Sequence, residues 1–200
     1  MYSNCVRISL ILISSIFLIS CASTQRAKIG HVAWKQHAAS ITKIKNWHMT
    51  GRIAFNDSKE GANANFIWQQ FGDGFKLEVF GPFGAERVTI FGTPNKVTLI
   101  SHDGTKSTAR TPEQLLNKKL GWHIPISGLQ YWIMGIPEPD IKITKYTLNK
   151  EGLLKTLSQQ SWVANYFEYQ ILSGEILPGK ITLNNHNLKV KVAIRSWKKI

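Results

Sequence analysis

Cysteine is the scarcest resource of this chain. Its 200 residues include two, Cys5 and Cys21, both within the first 21 positions. Everything after Cys21 folds with neither a disulfide nor a free thiol, so its stability rests on a hydrophobic core, for which about 180 residues suffice. Acid is also short: 25 Lys and Arg stand against 12 Asp and Glu, a net charge of +13. Asp57, Asp73, Asp103 and Asp140 all sit in turn contexts, and the glutamates are scattered singly. No pair of carboxylates is therefore spaced for acid–base work. The six histidines (His31, His37, His48, His102, His123 and His186) do not cluster. His31 and His37 are six apart and do not share a helix face that could hold a metal. Nucleophile elbow, P-loop and dinucleotide fingerprint are all missing. Nothing in the chain recommends an enzyme, a resident metal or a cofactor. Beyond the first twenty residues no stretch approaches the roughly 20 consecutive apolar residues of a spanning helix.

Those first twenty residues are a leader. They hold one base, Arg7, no acid, and an apolar core from Ile8 to Ile19 broken only by serines. This is the composition of a secretory signal peptide. It ends Leu18-Ile19-Ser20-Cys21, the pattern of a bacterial lipobox; the alternative is an ordinary signal peptide with a chance cysteine near its cleavage site. On the lipobox reading the Cys21 thiolate takes a diacylglyceryl group, cleavage leaves Cys21 first in the mature chain, and its amine is then palmitoylated. Two or three acyl chains anchor firmly, at about 0.8 kcal/mol per buried CH₂. The expected organisation is a signal peptide over 1–20, a lipidated flexible tether over 21–30, and one domain over 31–200. An exported basic chain meets anionic lipid headgroups, an acidic partner protein or envelope polyanions; nucleic acid is excluded by compartment.

The domain reads as mainly β with some α. Trp34, Ala38, Ile41 and Ile44 recur at helical steps. Alternating runs then follow at Met49–Asn56, Ala62–Phe71, Phe75–Phe80, Ala85–Phe91, Lys96–Ile100 and Thr105–Ala109, separated by turn residues, as in an antiparallel meander. Thr111-Pro112-Glu113 opens a short helix that Gly121 ends, and a second spans Ser127–Met134. Strands resume at Ile143–Leu148, Leu153–Gln159, Trp162–Leu172, Lys180–Asn184 and Asn187–Trp197, with Gly174–Gly179 expected as a break. About eleven strands with one dry face need a cover, and three short helices are a thin one. Two outcomes are open. The sheet curls into a half-barrel around an apolar cavity lined by Phe66, Trp68, Phe75, Leu77 and Trp162, with Leu129, Trp132 and Ile133 on a lid helix. Alternatively, the same residues fill a solid core, which periodicity alone slightly favours.

Between two of the strands lies Gly81-Pro82-Phe83-Gly84. Pro82 pre-sets φ for the second position of a β-turn and the glycines relieve the backbone. Hairpin tips favour Gly, Asn or Asp, so a large apolar ring at Phe83 needs a reason. Either it folds back on its own sheet, or it is offered to something apolar outside.

Several segments together resemble the LolB family of outer-membrane lipoprotein receptors. They are the lipobox at Cys21, Trp34-Lys35-Gln36-His37, Gly51-Arg52, Phe66-Ile67-Trp68-Gln69-Gln70, Gly81-Pro82-Phe83-Gly84, the helix start at Thr111, Ile124-Pro125-Ile126, and Leu129 to Pro137, closing with the strand near Trp197. The resemblance implies an unclosed antiparallel half-barrel of about eleven strands with three helices lidding an apolar cavity. It implies a monomer, anchored by lipid in the inner leaflet of the outer membrane and facing the periplasm. Such a protein takes the acyl chains of lipoproteins from a soluble LolA-like periplasmic carrier and delivers them to outer-membrane phospholipid, with no cofactor. It also implies that the protruding loop 81–84 inserts into the membrane, with Phe83 at the position where family members often carry Leu. Ala22 is not the Asp that in many such bacteria retains a lipoprotein at the inner membrane, so export fits.

Overall fold

The structure, a computed structural model, describes residues 33–57, 61–121 and 123–200. The signal peptide, Cys21 and the tether lie outside the described residues. Helix α1 spans Trp34–Thr42. Six strands follow: β1 Asn46–Asp57, β2 Gly61–Phe71, β3 Gly74–Phe80, β4 Val88–Thr93, β5 Lys96–Ile100 and β6 Lys106–Ala109. Helices α2 (Pro112–Leu120) and α3 (Ile126–Trp132) come next, and then β7 Ile143–Leu148, β8 Leu154–Gln159, β9 Trp162–Leu172, β10 Glu175–Asn184 and β11 Leu188–Lys199.

All eleven strands form one antiparallel sheet, ordered β6-β5-β4-β3-β2-β1-β11-β10-β9-β8-β7. Two meanders, β1–β6 and β7–β11, are thus sewn together where the first strand pairs with the last. Their free edges, β6 and β7, are consecutive in sequence. The connection between them must travel from one edge of the sheet to the other, and it carries α2 and α3 over the inner face. This path puts the helices where a lid would be.

Local chemistry fixes the helix ends. The Thr111 hydroxyl accepts the Gln114 amide at 3.3 Å, Pro112 occupies the first turn, Lys118 and Lys119 meet the carbonyl end, and Gly121 turns left-handed at φ 68°. Side chains alternate in the sheet: Ile53, Phe66, Trp68, Leu77, Ile90, Val190 and Val192 are buried under the helices, and Arg52, Lys189 and Lys191 face water. Curvature is helped by two aromatic-over-glycine pairs. Phe66 is paired with Gly51, where a Cβ would lie 2.7 Å from the ring, and Phe75 with Gly92, where a Cβ would overlap the ring.

Two expectations need correction. The break expected over Gly174–Gly179 is confined to the Ser173-Gly174 turn: β10 begins at Glu175 and runs through Pro178 and Gly179. Its register steps from Pro178 opposite Tyr169 to Lys180 opposite Glu168 and leaves Gly179 unpaired, a bulge that accommodates the missing proline donor. The strand expected from Ala85 begins at Val88, because a longer connection takes up Gly81 to Arg87.

Candidate functional site

Beneath the helices is a cavity with no polar side chain in its lining. Ile53 and Phe55 of β1, Phe66 and Trp68 of β2, Leu77 and Val79 of β3, Ile90 of β4 and Val192 of β11 form its floor. Leu116, Ile124, Ile126, Leu129 and Ile133 form its roof. Its open volume is about 30 Å³, room for about two waters. Pockets that enclose ligands run to about 300–1,000 Å³. The roof therefore packs close on the floor.

Of the five lining residues expected from sequence, the structure brings together Phe66, Trp68 and Leu77. Phe75 stands beside them, its ring over Gly92 and 5.7 Å from the Trp68 ring, which lies 5.7 Å from Trp47 on its other side. Trp162 is apart, in the other meander, packed 6.4 Å from Trp132. Of the expected lid residues, Leu129 and Ile133 face the cavity. Trp132 turns away and donates its indole N–H to Gln159 Oε1 at 2.9 Å. The lining residues not singled out in advance, such as Ile53, Phe55, Val79 and Ile90, continue the same alternation that marks Phe66 and Leu77; following it along every strand would have found them.

The roof is pinned at two places. Glu113 Oε1 accepts the Ser127 amide at 2.8 Å, tying α2 to the start of α3. Gln159, wholly buried on β8, also accepts the Glu138 amide and donates to the carbonyls of Glu138 and Ile141. Burial, with a smaller contribution from the Glu113 charge, raises the Glu138 carboxyl above its ordinary range. A second cavity, about 220 Å³, opens at the β2–β3 turn end, with Lys45, Asp73 and Gln70 among apolar neighbours. Among the described residues no three His, Cys, Asp or Glu side chains gather to hold a metal, and no helix is long and apolar enough to cross a membrane.

At the opposite end of β3 is the 81–84 turn. The Gly81 carbonyl accepts the Gly84 amide at 3.3 Å, with Pro82 and Phe83 between them. Phe83 sits at φ 56°, ψ 19°, the left-handed region that a bulky residue rarely enters, and its ring is fully exposed. The ring does not fold back on its sheet. Behind it Arg87 lies over the Phe80 ring at 4.2 Å and pairs with Glu78, which Lys76 also meets at 2.7 Å. The Lys76 hydrogen bond, more than the Arg87 contact, holds the Glu78 carboxyl below its ordinary range.

Residues 45–197 match the family described as outer membrane lipoprotein LolB. The chain belongs to the LolB family. It is 34% identical over 194 residues to the outer-membrane lipoprotein LolB of Nitrosococcus oceani, covering 96% of each chain. It is 36% identical over 193 residues to that of Francisella tularensis, covering 95% of this chain and 92% of the relative. The fold is also similar to a LolA-superfamily protein from Nitrosomonas europaea, with a TM-score of 0.54 at 9% identity, covering 84% of this chain and 94% of that one. That likeness extends the fold beyond LolB sequences.

Proposed function

We propose that this LolB-family chain is an outer-membrane lipoprotein receptor. It takes the acyl chains of lipoproteins from a LolA-like periplasmic carrier and passes them to the inner leaflet of the outer membrane. The observation that carries this reading is the all-apolar cavity roofed by the segment that joins the two sheet edges. Such a lining offers a guest no hydrogen bond, so it selects for hydrocarbon. Acyl chains entering from a carrier displace the roof and bury their surface against the floor. Transfer proceeds if this cavity holds them more tightly than the carrier does. No covalent step is needed. Cys21, lipidated, holds the domain at the leaflet, and loop 81–84 projects from it. Lodging Phe83 in the bilayer interface brings the cavity end lined by Phe55 and Val79 towards lipid. A lipid-anchored scaffold with a solid core is disfavoured by the cavity and by the family.

The test is delivery of a lipoprotein from carrier to vesicles. Phe83→Glu should still take cargo from the carrier but fail to release it, because a carboxylate is costly at the apolar boundary. Normal release by that variant would remove the loop from the mechanism.

A further inference from the structure

The positive charge of the chain is not spread evenly. Strands β1, β2 and β11 lie side by side and hold a single acid, Asp57, at the far end of β1. Their outer face presents Arg52, Lys189, Lys191 and Arg195, all exposed. Among the described residues Arg52, Lys189 and Lys191 make no ion pair, and Arg195 reaches the neutral Asn65 amide oxygen, at 3.5 Å. The residues between these cations are Ala54, Asn56, Asn63 and Asn65. An acid-free field of cations on a rigid sheet is a standing positive potential. Single-sign fields of this kind suit a multivalent anionic surface.

Its position says which surface. Ala193, Arg52, Asn65 and Phe80 form one cross-strand row through β11, β1, β2 and β3. Phe80 lies about 10 Å from Arg52, two strand spacings away. Arg87 covers the Phe80 ring, and Phe83 is the next turn. The cationic face thus runs without interruption into the exposed ring. On its other flank Val163 and Phe167 of β9 are exposed. The helix-roofed inner face looks the opposite way, so a carrier aligned with the cavity would not touch these cations.

We propose that the outer face of β11, β1 and β2 is a docking surface for anionic phospholipid headgroups. Resting on it, the anchored domain has Phe83 in the interface and its roof turned to the periplasm. The proposal rests on the receptor reading and adds the lipid class and the residues that recognise it.

The test uses the full lipidated chain in vesicles. Cys21 being acylated, Asn63→Cys supplies a single thiol for a fluorophore on this face. Energy transfer to a trace headgroup-labelled lipid is compared in phosphatidylcholine and in vesicles about one-third phosphatidylglycerol. Higher transfer is expected on the anionic vesicles, lost in high salt. Each cation is worth about a factor of five near such a surface, so Lys189→Gln with Lys191→Gln should lower the docked-to-free ratio about 25-fold. Lys189→Arg with Lys191→Arg should preserve it. Equal energy transfer in both vesicles, or no response to the Gln pair, overturns the proposal. So does a Gln pair that leaves lipid contact intact yet slows delivery from the carrier, which would assign the face to an acidic protein. Failure of the unaltered chain to deliver lipoprotein to any vesicle would instead overturn the receptor reading.

Discussion

The two meanders bury similar residues and use them differently. In β1–β4, Phe66, Trp68, Leu77 and Ile90 border the small apolar cavity under the roof. In β8–β10, Leu154, Leu157, Leu177, Ile181 and Leu183 form a buried core, and Trp162 packs at a tilt against Trp132. The polar contacts divide the same way. The floor side chains Ile53, Leu77, Val79, Ile90 and Val192 are hydrocarbon and offer the roof no hydrogen bond, whereas Gln159 of the second meander grips the end of α3. In the proposed transfer the first half parts from the helices and the second holds them. A lid needs both: a seam with few directional contacts, and a fixed attachment about which it moves.

The largest effect should come from breaking the attachment. Gln159→Leu leaves the Trp132 indole N–H, the Glu138 amide and the carbonyls of Glu138 and Ile141 without partners. At 1–3 kcal/mol for each stranded group, a loss of about 4 kcal/mol or more is expected in urea unfolding. A loss under about 1 kcal/mol would mean that the second meander does not hold the roof.

A matched pair sharpens the contrast. Leu77→Ala and Leu157→Ala each remove a buried leucine and should each cost about 3 kcal/mol. Only Leu77 borders the cavity, so only Leu77→Ala should increase uptake of a fluorescent fatty acid. Equal uptake by the two variants would mean that guests enter through either half.

Much of this division was hidden from sequence for a physical reason. Period-two alternation revealed which residues face inward, and Thr111, Pro112 and Gly121 marked α2. Alternation does not reveal what packs on an inward residue from a segment distant in the chain. Phe75 and Trp162 read like Phe66 and Leu77, yet Gly92 draws the Phe75 ring onto the backbone and Trp132 takes Trp162. Pro178 and Gly179 read as a stop because they usually punctuate, but a bulge carries the strand past them. The hairpin was legible in part: its ring was visible, and its left-handed backbone was not.

That backbone allows a test in which stability and delivery move in opposite directions. A non-glycine residue in the left-handed region costs about 1–2 kcal/mol, and glycine gives back part of the gain through its freer unfolded chain. Phe83→Gly should therefore stabilise the domain by up to about 1 kcal/mol while delivery to membranes falls. A destabilised Phe83→Gly would show that the ring supports its own sheet.

The smallest effect lies at the end where the meanders join. His37 is buried on α1, whose Ile41 lines the second cavity with Trp47 of β1, and the charge of Glu175, the first residue of β10, acts on it. Burial lowers the imidazole below its ordinary pKa, and the Glu175 charge opposes this only in part. As the pH falls through about 6.5 the unfolded chain takes up this proton before the folded one does. Stability is therefore full above that pH and declines below it, until the folded imidazole protonates too. His48 is shifted in the same direction by burial and by Lys198, so His37→Phe should flatten only part of the decline. Urea unfolding between about pH 7 and pH 5 reads the difference. An unchanged slope in His37→Phe would mean that α1 does not stay packed on the joined ends. The domain would then hold together through the β1–β11 pairing alone.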